Sequence, residues 1–236
     1  MSEAADFTGC GPVVLPGGRS PQGDDRVVPI GRHGYPREQI RAVQRAKILD
    51  AFVAELGDKG MAGARVIEVC RRAGVSAKEF YAQFGTKEDC FFAAFDVGAD
   101  LVFEQGAAAF AAAEGRWEDR VRAAIRAMLE TLAVNPAFCR LCIVEAGQAG
   151  PAGVERLNAV ILRCRTLLGG ERDLATPPGM PVEACESVVV GGALQPLAEY
   201  VIAGRATELA SLVSTLTYSI TLAVVGHSRA LRQLQE

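Results

Sequence analysis

Lys78, Tyr81 and Gln83 lie together in "SAKEFYAQF", residues 76–84, with Ala77 beside them. Their side chains suit a nucleic-acid duplex. An ammonium and a phenolic hydroxyl can meet phosphate oxygens, a carboxamide can pair with a base edge, and a small alanine lets a helix approach closely. Other groupings offer less chemistry. Cys139 and Cys142 have C-x-x-C spacing, but there is no second cysteine pair and the chain has only His33 and His227. A zinc site would lack ligands, and on a helix the two thiols are read as packing groups one turn apart. G-x-S-x-G, G-x-x-x-x-G-K, H-E-x-x-H and a dinucleotide fingerprint are all missing. No catalytic residue, metal or cofactor is therefore expected.

The elements that must position Lys78 and Tyr81 are legible in "RVIEVCRRAGVSAKEFYAQF". Val66, Val69 and Ala73 form one apolar stripe at helical spacing. Gly74 permits a tight turn, Val75 plugs between two helices, and Ser76 starts the second. Ser76 and Glu79 have the S-x-x-E spacing of a capping box, and Phe80 and Phe84 give the short helix its buried face. The pattern is a helix-turn-helix whose second helix is too short and too polar to be a core element. Its outward face carries Ala77, Lys78, Tyr81 and Gln83, and such a face fits a major groove. An ordinary helical hairpin with a solvated face has the same spacing. A helical protein-interaction module and an enzyme on a similar scaffold are the competing classes.

Charge is divided along the chain. Residues 32–90 carry 11 Arg and Lys against 8 Asp and Glu, whereas residues 91–236 carry 12 against 16. A mildly basic front thus precedes a mildly acidic back, although the whole chain has a net charge of -3. Seven cysteines, an odd number, fit a reducing compartment better than a disulfide framework, and no apolar leader follows a basic start, so a cytoplasmic location is expected.

The fold expected is all-α, because no strand alternation or βα rhythm occurs. Residues 1–35, rich in Gly and Pro, read as a flexible arm. Residues 36–85 read as the helix-turn-helix domain, opened by an amphipathic helix bearing Ile40, Val43, Leu49, Phe52, Val53 and Leu56 and ended by Gly57 and Gly60. Residues 86–236 read as a larger helical domain. Thr86 would cap a helix to about Ala113, and more helices are expected at 117–133, 137–148, 152–168, 183–203 and 206–229. The uncharged run 209–226 carries six Ser and Thr residues, which favour a buried helix with a partly polar face over a membrane span.

"AGVSAKEFYAQFGTKEDCFFAAFD" resembles the amino-terminal domain of the TetR family of transcriptional repressors. The family pattern is carried by Val69 and Cys70, Ala73 to Ser76, Glu79, Phe80, Tyr81, Phe84 and Lys87, and the detailed match covers about residues 38–95. The resemblance implies a two-fold dimer that binds double-stranded operator DNA and releases it when a small molecule enters the carboxy-terminal domain. Lys87, opening the fourth helix, then becomes a phosphate contact. Where the family commonly has threonines at the start of its second helix this chain has Ala64 and Arg65, and Arg65 can reach the same phosphate. Glu79 replaces the usual threonine of the recognition helix and is read as a cap. Residues 183–226 are expected to form the dimer interface. Phe95, Phe103, Trp117, Phe138 and Glu145 are the candidates to surround a small, largely apolar effector. The same aromatics also suit plain core, and Glu145 suits a salt bridge within the fold.

Overall fold

The computed structural model describes residues 15–18, 37–169 and 188–234. The described residues are helical, joined by short turns, and contain no strand. In chain order they form α1 (Arg37–Gly63), α2 (Val66–Ala73), α3 (Ala77–Gln83), α4 (Lys87–Ala112), α5 (Trp117–Ala133) and α6 (Pro136–Arg140). A π-helical turn, Leu141–Glu145, links α6 to the short α7 (Ala146–Gln148), and α8 (Pro151–Gly169) follows. After residues 170–187, the described chain continues with helical residues 188–192, then α9 (Leu194–Ile202), a 3-10 segment (Ala206–Leu212), α10 (Val213–Val225), α11 (His227–Ala230) and a last 3-10 turn (Leu231–Leu234).

The amino-terminal three helices share one core. Leu49, Phe52, Val53 and Leu56 of α1 are buried with Val69 and Ala73 of α2 and with Phe80 of α3. Each of these positions falls on the apolar stripe of its own helix, so burial follows from spacing. The Phe52 and Phe91 rings meet edge to face at 6.5 Å between centroids, which joins this core to α4. Buried Glu55 accepts from Lys59 at 2.6 Å and pairs with Arg72 at 3.2 Å, and Arg72 also pairs with Asp58. One buried carboxylate thereby clamps α2 to α1.

The larger domain is built around α4 and α5. Thr86 and Asp89 start α4 with a reciprocal cap, the Asp89 N–H donating to Thr86 Oγ1 at 3.0 Å and the Thr86 N–H to Asp89 Oδ2 at 2.9 Å. Asn135 caps α6, and Pro136 occupies its first turn, where a missing N–H costs nothing. On the outside of α4, Asp96 and Asp100 accept from Arg156 and Arg163 of α8 at 3.0 and 2.5 Å. The same two guanidiniums lie 4.2 Å from the ring centroids of Phe92 and Phe103. The chain's far end returns to α5: Arg122 donates to the Gln233 carbonyl at 2.5 Å, and Gln233 donates to Asp119 at 3.0 Å.

Three helix boundaries differ from those expected. Gly57 does not end α1. It lies inside the helix, where a Cβ would come 2.5 Å from the Ala137 Cβ, so its smallness serves the close approach of α1 and α6. Gly60, with φ 69° and ψ 172°, does interrupt helical geometry, and the helix resumes to Gly63. The single helix expected at 206–229 is instead a 3-10 segment, then α10, then a break at Gly226, whose φ of 76° suits glycine. The helix expected at 137–148 is divided by the π turn. Residues 183–187 of the expected helix 183–203 lie outside the described residues. Among the described residues no single helix is long and apolar enough to cross a membrane. Thr217 and Thr221 are buried in α10 and donate to the carbonyls one turn back at 2.7 Å, which satisfies the polar atoms within the run 209–226.

Candidate functional site

The turn between α2 and α3 is set by local chemistry. Gly74 adopts φ 65° and ψ 36°, and its N–H donates to the Cys70 carbonyl, a left-handed helix stop. Ser76 then caps α3. The Glu79 N–H donates to Ser76 Oγ at 3.1 Å, and the Ser76 N–H donates to Glu79 Oε2 at 2.7 Å. The other Glu79 oxygen accepts from Gln44 of α1 at 3.2 Å. The Ser76 N–H and hydroxyl, with Gln44 adding to them, hold the Glu79 carboxyl below its ordinary range. Phe80 anchors α3 from beneath with Phe84, whose ring lies 4.4 Å from the Arg45 guanidinium. A helix of two turns is thus held by a cap, a pair of aromatic rings and α1.

Six residues were expected on the nucleic-acid face, and the fold treats them differently. Ala77, Lys78 and Tyr81 are exposed on α3, Tyr81 at 55%. The Tyr81 ring packs edge to face on Phe80 at 5.3 Å, which stiffens an otherwise solvated side chain. Arg65 is exposed at the N-cap of α2, beside the free N–H groups of that helix start. Gln83 is turned inward: its Nε2 donates to the Arg41 carbonyl at 3.1 Å, and its own carbonyl accepts from Arg45 at 3.5 Å. Lys87 is also occupied within the fold, donating to the carbonyls of Met61 and Ala64 at 2.9 and 3.3 Å. Gln44, Arg72 and Glu55 were not singled out from the sequence. Their roles depend on contacts between helices that periodicity does not display.

The five effector candidates are distributed over α4, α5, α6 and the π turn. Phe138 is fully buried and its ring lies against the backbone of Gly98 in α4, so closely that no Cβ fits there. Phe95 is buried in the same core, Phe103 lies under Arg163, and Trp117 is half-buried at the start of α5. Glu145 accepts from Arg140 at 2.9 Å across the π turn, an ion pair within the fold. An open cleft of about 450 Å³ lies elsewhere, between α1, α6 and the turn after α9, with Asp58, Ala137, Arg140 and Gly204 among its lining residues. Burial pushes the Cys139 thiol up to about 12 and the Cys142 thiol well above its ordinary value, which favours the thiol form of both. Among the described residues no three His, Cys, Asp or Glu side chains are grouped so as to hold a metal ion.

A capped two-turn helix presented by a three-helix front domain, with a larger helical domain behind it, defines a class of helix-turn-helix regulator folds. Residues 48–94 match the family described as "Bacterial regulatory proteins, tetR family". The structure is similar to that of the fatty acid degradation regulator FadR from Bacillus halodurans, with a TM-score of 0.65 at 17% identity over 75% of this chain and 94% of that one. It is similar to the transcriptional regulator FadR from Bacillus subtilis, solved in complex with stearoyl-CoA, with a TM-score of 0.60 at 17% identity over 76% of this chain and 97% of the other. A TetR transcriptional regulator from Chloroflexus aurantiacus J-10-FL gives 0.55 at 21% identity, over 79% and 98%. No curated protein is detectably similar in sequence.

Proposed function

We propose that this protein is a sequence-specific, DNA-binding transcriptional regulator that acts as a homodimer, and that it is a repressor released by a small, largely apolar effector. The observation that carries the DNA-binding reading is the outward face of α3. Ala77, Lys78 and Tyr81 stand exposed on a helix whose cap and aromatic anchors already satisfy its other side. Arg65, exposed at the start of α2, adds a cation where a phosphate can also meet free N–H groups. Lys78, Arg65 and the Tyr81 hydroxyl contribute phosphate contacts, and Ala77 lets α3 approach base edges. Gln83 and Lys87 support this face from inside the domain.

Dimerisation through the carboxy-terminal helices is supported by apolar side chains left in solvent. Val188 is 74% exposed and Ile202 68%, and a Cβ at Gly192 would have open space among the described residues. A second copy laid on this surface would remove it from water. The apolar character of the effector is supported by the aromatic side chains of α4 to α6, Phe95, Phe103, Trp117 and Phe138 among them. The Bacillus subtilis relative holds stearoyl-CoA on a similar fold. A regulator of this kind works in the cytoplasm, where the DNA is.

Incubating the purified full chain with sheared genomic DNA and sequencing the retained fragments tests this reading. Enrichment of a roughly palindromic fragment is expected. Retention without sequence preference would overturn it in favour of an interaction module.

A further inference from the structure

Leu15–Gly18, far ahead of α1 in the chain, are built into the joint between the two halves of the molecule. Leu-Pro-Gly-Gly is the signature of a type II turn, with proline fixing the second position and glycine supplying a positive φ at the third. Gly17 has φ 83°, and the Gly18 N–H donates to the Leu15 carbonyl at 2.9 Å. This turn is packed: Leu15 is 3% exposed, and a Cβ on Gly17 would come 2.6 Å from Val53 Cγ1 of α1.

The turn is hydrogen-bonded to both halves at once. The Gly17 N–H donates to Asp50 Oδ1 at 2.9 Å, and Asp50 is a buried residue of α1. Asn135 Nδ2 donates to the Pro16 carbonyl at 2.7 Å, while Asn135 Oδ1 accepts the Phe138 N–H at 3.1 Å to cap α6. The Asn135 amide therefore links the arm to the start of α6, and Asp50 links the arm to the helix that carries the DNA-binding domain. Beyond the turn the joint stays open, because Gly17 forms part of the wall of the cleft between α1 and α6.

We propose that Leu15–Gly18 is an interdomain strap: seated, it pins α1 to α6 and fixes the angle of the recognition helix against the helical domain; released, it frees that joint. Strap occupancy and DNA affinity are then thermodynamically linked, since each favours one setting of the same joint. The link to DNA rests on the DNA-binding reading above. The seating does not.

Two measurements test the strap. The first is amide hydrogen exchange on the full chain, on a chain lacking residues 1–18, and on Gly17→Val, which strains the turn and collides with Val53. Protection of Phe138 and Cys139 should fall about tenfold or more in both variants. A synthetic peptide of residues 11–20 should bind the truncated chain saturably and restore the protection. Unchanged protection in both variants, or no binding of the peptide, would overturn the strap. The second is affinity for the genomic fragment retained by the full chain. A change of about fivefold or more in both variants, reversed for the truncated chain by the peptide, is expected. A smaller change overturns the linkage to DNA. Should the full chain retain no fragment, the DNA-binding reading and the linkage fall together, and hydrogen exchange alone decides whether the strap is seated.

Discussion

The Lys87 ammonium donates to the Met61 carbonyl at 2.9 Å, and thereby holds the end of α1 against the start of α4. With its second bond to Ala64, it closes the turn from which Arg65 and α2 begin. A lysine that reads in the sequence as a phosphate contact also acts, in the folded chain, on the geometry of its neighbours. Replacing Lys87 with Met should cost about 1–3 kcal/mol in urea denaturation, the range for losing hydrogen bonds to a charged group. The salt dependence of DNA binding should be unchanged. Unchanged stability together with a shallower salt slope would return Lys87 to the DNA surface.

Glu79 should behave as a cap and not as a reader of bases. Glutamine completes the same box, so Glu79→Gln should leave stability near pH 7 and operator preference nearly intact. Acid should separate the two proteins. The folded carboxyl titrates below its ordinary 4.5, so its contribution is present above that value and is lost as pH falls below it through the folded pKa. Denaturation curves should therefore show the parent losing more stability than Glu79→Gln between near pH 5 and pH 3. Altered base preference at one operator position would contradict the capping role.

Gly98 and Phe138 pack ring against backbone. Gly98→Ala should push the ring aside and cost about 1–3 kcal/mol as an overpacked core, despite alanine's better helix propensity. A thermal melt reads the change. A stabilised variant would mean that the ring has another place to go.

These contacts show where sequence reading stops. The helix-turn-helix was legible because its determinants are local: Gly74 for the turn, Ser76 and Glu79 for the cap, Phe80 and Phe84 four apart for the buried face. The inward turn of Gln83 and Lys87 was not legible, since both partners are backbone carbonyls on α1 or just after it, 42 and 26 or fewer positions away. Gly57 reads as a helix stop in sequence because the spacing does not reveal that Ala137 must approach it. Leu15–Gly18 reads as arm for a related reason. A Pro-Gly-Gly run announces a turn, but its burial depends on Asp50 and Asn135, which lie far along the chain. The effector region was the least legible, because aromatic residues at helical spacing look the same whether they line a pocket or fill a core.

The dimer should depend on the close approach of backbones near Gly192. The parent is expected to sediment as a dimer at micromolar concentration, and Gly192→Phe, at a position where a Cβ has open space among the described residues, as a folded monomer with weak DNA binding. A variant that stays dimeric and binds DNA like the parent would place the interface elsewhere.

The central claim is that α3 enters a major groove with Lys78 and Tyr81 outward, and a salt titration of binding to the retained genomic fragment tests it most directly. Lys78→Ala should weaken binding to all sequences alike and lower the slope of log K against log salt by about one, while Tyr81→Ala, which removes a neutral hydrogen bond to phosphate, should weaken binding to all sequences and leave the slope unchanged. Lys78→Ala should melt like the parent, because its side chain lies in solvent, and Tyr81→Ala should lose only the edge-to-face contact with Phe80, about 0.5–1.5 kcal/mol. Affinity, slope and sequence preference all equal to the parent's in both variants would contradict the account.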